Sequence, residues 1–260
     1  MSSDNSNSIS LNKYIGDSGV CSRREADKII DAQRVTINGV IAKKGNRVEE
    51  GDVVEIDGTP LQGKEEPIYL AFNKPPGITC TGDKNVEDNI IDFINYPKRV
   101  FYVGRIDKYS QGLIFLTNDG DVVNKILRAG NQHEKEYLVT VNTPITNSFI
   151  QNMANGVPIL DTRTNKCFVQ KESNYTFRII LTQGLNRQIR RMCEYFGYHV
   201  TRLIRLRIMH IELGNLREGE LRNFTKQEVN KLMQLVAKSE NLSQKMKEQR
   251  TKDKGGMKNG

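Results

Sequence analysis

The first apolar positions along the chain fall in short bursts with helical and then strand spacing. Leu11, Tyr14 and Ile15 occupy one face of a short helix that Gly19 can end. Ser22 opens SRRE, a capping box in which the serine hydroxyl caps a second helix and Glu25 reaches back. That helix turns Ala26, Ile29 and Ile30 to one side, and Arg23, Arg24 and Lys28 lie off the apolar stripe, available to phosphates. VTINGVI then predicts a hairpin at Asn38 and Gly39, and GDVVEIDG a further short strand between glycines. Two short helices followed by small strands make a compact module over residues 9–59.

PLQGKEEP, residues 60–67, reads as a linker. Beyond it the periods mix. IYLAFNKPPGITC predicts a strand, a sharp turn and a second strand, NIIDFINY a helix, and FYVG and GLIFLTN two strands. Asn118, Asp119 and Gly120 form a turn before a short helix, EYLVTV is a strand, ITNSFIQNMANG a helix closed by Gly156, and FRIILTQG a strand. No fixed repeat and no regular βαβ alternation appears, so residues 68–236 are expected to form an α+β domain on a mainly antiparallel sheet.

LNRQIRRMCEYFG divides most clearly. Ile189, Met192, Cys193 and Phe196 are spaced to pack, and Arg187, Arg190, Arg191 and Glu194 share the other face. In the strand that follows, Arg205 and Arg207 alternate onto one face. Six arginines between 187 and 207 meet one acid, Glu194. Such a concentration fits a polyanion; a solvated basic face is the plainer alternative.

Charge bookkeeping locates the excess. The chain of 260 residues carries +8, with an isoelectric point near 9.2. Residues 9–63 hold 8 basic against 9 acidic side chains, and 64–237 hold 24 against 18. The segment 238–260 adds 7 against 3 and reads, from residue 237, as a basic disordered tail; residues 1–8 read as a polar disordered start. A polyanionic partner is favoured, and nucleic acid over membrane, because no apolar run approaches the roughly 20 residues a spanning helix needs. MSSDNSNS lacks the features of a signal peptide, so a cytoplasmic location is expected. Cys21, Cys80, Cys167 and Cys193 form no CxxC pair, and His133, His199 and His210 have no metal-ligand spacing, so neither metal nor cofactor is expected.

One acid has unusual surroundings. In FYVGRIDKYSQGLIF, Asp107 lies two residues after Arg105 and next to Lys108. By itself such a carboxylate is most often structural. Tyr137, at the start of another strand, and a nearby cation favouring the ionised form make a chemical role worth weighing. Lys74, between Asn73 and two prolines, could contact a phosphate or simply set the strand spacing.

These segments carry two resemblances. Residues 9–59 resemble the S4 RNA-binding domain, which implies that Arg23, Arg24 and Lys28 contact RNA. NKPPG, GRIDKYSQGLIFLTNDGD, EKEYLVTV and GLNRQIRRM, in that order, resemble the motifs of RNA pseudouridine synthases of the branch that includes the small-subunit synthase A. Ile106 departs from the family's usual Leu and keeps an aliphatic group there. The resemblance implies that Asp107 is the catalytic aspartate, that Tyr137 stacks on a flipped uracil, that Arg190 pairs with Asp107, and that Arg105 enters the vacated stack. Ile189 would line the uracil pocket, and Lys74, Arg187 and Arg191 would bind RNA. DGDVVNKILRAGNQHEKEYLVTV resembles a large-subunit member, so the expected partner is 23S ribosomal RNA, with a tRNA as a conceivable second substrate. A monomer is expected. The rivals are a small-subunit rRNA enzyme and a non-catalytic S4-type ribosome-assembly protein.

Overall fold

The computed structural model describes residues 8–127 and 133–237. The disorder expected of residues 1–7 and 238–260 lies outside the described residues, as does 128–132 within the DGDVVNKILRAGNQHEKEYLVTV run. The chain forms two compact units. One gathers the N-terminal residues through Ile68 together with Tyr96–Val100 and Asn118–Gly120; the other takes the remainder.

In the first unit the helices Leu11–Asp17 and Arg23–Asp31 precede a four-stranded sheet. The Glu25 amide donates to Ser22 Oγ at 3.1 Å and the Ser22 amide to Glu25 Oε2 at 2.7 Å, so both halves of the capping box form. Asn38 and Gly39, both at positive φ, turn Val35–Ile37 back into Val40–Ile41. Leu11, Ile15, Ala26, Ile30, Val35, Val48 and Val54 fill the core.

The second unit is α+β on a mainly antiparallel sheet. Its strands run, side by side, Phe168–Lys171, Thr176–Leu181, Lys135–Val141, Val200–Ile208, Gln111–Thr117, Tyr69–Lys74 and Leu221–Asn223, with Phe101–Val103 and Ile211–Glu212 paired off this path. Among the described residues every pairing between these strands is antiparallel except one. Strands Gln111–Thr117 and Val200–Ile208 meet in parallel through only Ile204–Gln111 and Arg205–Gly112. This seam joins two antiparallel halves, and two apolar cores pack the unit, the second of them spanning the seam by drawing Ile204, Ile208 and Ile211 from one half and Leu113 and Phe115 from the other. Phe177, Ile179, Phe149, Met153 and Met192 belong to the first core; Leu113, Phe115, Ile211, Phe224 and Leu232 belong to the second.

Gly112 makes the seam possible. Its φ is +114°, and a Cβ there would lie 2.4 Å from the Arg205 carbonyl oxygen and 2.6 Å from the Arg205 nitrogen.

Several elements differ from the sequence expectation. No second strand follows Pro75 and Pro76, which supply no N–H to a ladder; Thr79 makes only an isolated bridge to Asn89. Strand Phe168–Lys171, the hairpin of Pro158–Ile159 with Thr162–Arg163, strand Leu221–Asn223 and a helix over 226–237 were not anticipated. Arg205 and Arg207 also part company. A register shift between Glu136 and Tyr137 pairs Arg205 with Tyr137 and Arg207 with Glu136, and those two partners are consecutive on their strand and face opposite ways.

Because a methyl group at Gly112 strikes backbone rather than a movable side chain, Gly112→Ala is expected to destabilise the large unit by about 2–4 kcal/mol. Urea unfolding against the parent protein measures it.

Candidate active site

Asp107 lies on the connection between two neighbouring antiparallel strands, Phe101–Val103 and Gln111–Thr117. Gly104, at φ +75°, turns the chain, and the Ser110 amide donates to the Asp107 carbonyl at 3.0 Å, closing a tight turn. The connection approaches the seam, where the helix Gln188–Tyr195 supplies Arg190. Arg190 Nε donates to Asp107 Oδ2 at 3.3 Å, Nη2 to Ser110 Oγ at 3.2 Å and Nη1 to the Val200 carbonyl at 3.1 Å. One guanidinium thus grips both ends of the turn and anchors it to the strand Val200–Ile208. The Arg190 side chain is only 13% exposed, whereas Asp107 keeps 30%. Asp107 Oδ1 has no hydrogen-bond partner among the described residues.

These groups face a cleft of about 800 Å³ within the large unit. Arg105, Asp107, Tyr137, Arg187, Ile189 and Arg190 all line it. Arg105 is exposed. Tyr137 is half-buried against the first core, and Ile189, 5% exposed, belongs to that core while forming part of the cleft wall. Packing and lining are therefore compatible roles for Ile189. The exposed Arg187 precedes the helix at φ +49°. Arg191 does not line the cleft; it binds the Asn186 carbonyl and side-chain oxygens at 3.1 and 3.3 Å. Arg23, Arg24 and Lys28 are exposed on the N-terminal unit, Arg23 lying 3.7 Å from Asp17.

Lys74 requires correction. Its expected place among RNA-binding residues conflicts with a side chain that is fully buried. Nζ donates to the carbonyls of Pro75 at 2.8 Å, Ile78 at 2.7 Å and Lys108 at 3.0 Å, which uses every proton of the ammonium. Lys74 instead fixes the PPG turn against the residue that follows Asp107. Burial pulls its pKa down to about 8, with Asp107 among the groups that oppose the shift.

Lys135, Ser110 and Arg205 also line the cleft, and the sequence had given none of them a place in the site. Lys135 is two residues before Tyr137 on one strand, so their shared face was readable. Burial, and then the Arg205 charge, lowers the Lys135 pKa. Ser110 and Arg205 needed the turn and the bulge to reveal them. Arg207, turned away, is taken up by Glu136 at 2.7 Å and Glu134 at 3.0 Å, while Arg178 binds Glu136 and Glu172. Burial works to raise the Glu136 pKa, but hydrogen bonds from Arg207 and Arg178 prevail and lower it. Among the described residues no group of three His, Cys, Asp or Glu could hold a metal ion.

A cleft holding an arginine-paired aspartate, an aromatic side and an arginine rim can take up a nucleotide and present a carboxylate to it. The model of the RNA pseudouridylate synthase family matches residues 68–195, and that of the S4 domain residues 10–54. The chain belongs to the RNA pseudouridine synthases. It is 57% identical over 231 residues to the dual-specificity RNA pseudouridine synthase RluF of Salmonella typhi, covering 88% of this chain and 80% of the relative. The RluF of Escherichia coli K12 is 56% identical over 234 residues, at 89% and 81% coverage. Ribosomal large subunit pseudouridine synthase B of Bacillus subtilis is 30% identical over 240 residues, at 89% and 98%. A crystal structure of a pseudouridylate synthase superposes with a TM-score of 0.63 at 30% identity, covering 86% of this chain and 99% of that one.

The Lys74 charge gives a pH signature. Its folded pKa of about 8 lies below the ordinary 10.5, so between those values the unfolded chain binds more protons and stability rises with pH. The stability of the parent relative to Lys74→Met is expected to increase across that window by up to about 3 kcal/mol. Urea unfolding of both proteins at pH 7.5 and 10.5 checks the sign.

Proposed function

We propose that this protein isomerises a specific uridine of 23S ribosomal RNA to pseudouridine, acting as a cytoplasmic monomer. The observation that carries the reading is the arginine-held carboxylate of Asp107, set in one cleft with Tyr137 and Ile189. A uridine stacked in a helix hides its glycosidic bond, so the nucleotide must first be extruded into the cleft, and Arg105 is suited to occupy the space it leaves. Breaking the C1′–N1 bond develops positive charge at the sugar, which a carboxylate in contact stabilises or captures. The freed uracil must be retained and water excluded, work for the Tyr137 ring and the Ile189 side chain. Bonding of C1′ to C5 and loss of the C5 proton, with N1 regaining one, balance the reaction as an isomerisation.

The name of the Bacillus relative, a ribosomal large subunit synthase, supports the rRNA assignment. The term dual-specificity, borne by relatives at 56% and 57% identity, supports a second RNA substrate, which we assign to a tRNA. Arg23, Arg24 and Lys28 on the S4 unit, with Arg187 and Arg191 on the larger one, would supply phosphate contacts.

Asp107→Asn is expected to reduce pseudouridine formation by at least about 10²-fold without weakening RNA binding. Mapping pseudouridine in 23S rRNA, 16S rRNA and tRNAs from a strain lacking the protein should show one 23S site and a tRNA site losing modification. Loss confined to 16S rRNA would return the small-subunit alternative, and activity retained by Asp107→Asn would remove the catalytic assignment. Arg187→Ala or Arg191→Ala is expected to weaken RNA binding and flatten its log–log salt dependence by about one unit each. Titrations at several salt concentrations provide the measurement.

A further inference from the structure

Arg205 is the buried cation of the seam that the pairing with Asp107 does not use. Its side chain is 2% exposed, unlike the arginines of an RNA-binding surface. The bulge in the Lys135–Val141 pairing brings it to the Tyr137 side of the sheet, beside the cleft, and its backbone abuts Gly112. From there Nε donates to the Leu113 carbonyl at 2.7 Å and Nη1 to the Arg105 carbonyl at 3.5 Å. Those two carbonyls bracket the segment 106–112, which carries Asp107. Nη2 is buried with no hydrogen-bond partner.

As a stabilising device this arrangement is poor. A buried guanidinium with one donor left over carries a desolvation penalty, and a hydrocarbon of similar volume fills space without it. What a hydrocarbon cannot do is tie together the two ends of the segment. The other buried cation, Lys74, holds the Lys108 carbonyl between them.

We propose that Arg205 is a positioning residue for the reaction, fixing the main chain on both sides of Asp107 through the carbonyls of Arg105 and Leu113. This rests on the reading of Asp107 as the catalytic group. Arg190 sets the carboxylate from its own side; Arg205 sets the backbone from which the carboxylate projects. Displacement by about 1 Å of a group that must meet a sugar carbon is enough to slow a reaction about 10²-fold.

The test uses full-length Arg205→Met, Arg205→Lys and Asp107→Asn proteins with 23S rRNA from a strain lacking the enzyme. Single-turnover pseudouridine formation and RNA Kd are measured at a temperature where each protein's unfolding curve shows it folded. Arg205→Met is expected to slow the reaction about 10²-fold with Kd within about twofold of the parent. Arg205→Lys, whose single ammonium can reach one carbonyl, should recover part of that loss. An unchanged rate in Arg205→Met, or full activity in Arg205→Lys, overturns the proposal, as does a weakened Kd with an unchanged rate, which would make Arg205 an RNA contact. If Arg205→Met does not fold, the Lys variant carries the decision: a slowed rate at unchanged Kd supports the role. Asp107→Asn separates the two ideas. An active Asp107→Asn defeats the catalytic reading, whereas an inactive one beside a normal Arg205→Met defeats only the positioning role.

Discussion

Two register pairs of parallel backbone hold the large unit together as one sheet. At Ile204–Gln111 and Arg205–Gly112, two antiparallel halves come into contact, and only a glycine lets their backbones come so close. The candidate site grows out of that junction. Asp107 comes from the half that ends in Gln111–Thr117, while Tyr137, Ile189 and Arg190 come from the other. Moving one half along the other would separate the carboxylate from its arginine. The single parallel pairing therefore sets the distance on which the chemistry depends.

The net charge of +8 is a poor map of where cations are free. Of the six arginines between 187 and 207, Arg190 is spent on Asp107 and Ser110, Arg205 on buried carbonyls, and Arg207 on two glutamates. Arg202 binds Gln111 and Arg191 binds Asn186. Lys74 spends all its protons on main-chain oxygens. Five of those six arginines thus hold partners within the protein, and for a buried one such as Arg205 the strongest use of the cation is to satisfy acceptors that water cannot reach.

Elements with a strong period were legible in the chain. The capping box at Ser22, the hairpin at Asn38, and the helix carrying Ile189, Met192 and Cys193 follow from local spacing and form as that spacing requires. Strands such as Pro158–Ile159, Thr162–Arg163 and Leu221–Asn223 are too short to show a period and exist because a partner strand accepts their hydrogen bonds. The expected second strand after NKPPG had apolar residues but no neighbour to pair with beyond one bridge.

The amino-acid sequence by itself determined the α+β character, the RNA-directed charge and the residues worth suspecting, since periodicity and motif order are properties of the chain read in one dimension. Only the tertiary structure decided what those residues do with their side chains. Arg205 and Arg207 stand two apart and would share a face on a regular strand; a one-residue bulge sends one beneath the cleft and the other to the glutamates. Lys74 read as a cation that could meet a phosphate, yet its ammonium is sealed under three carbonyls. Register and burial select a partner for each charge, and neither is written at the position of the charge itself.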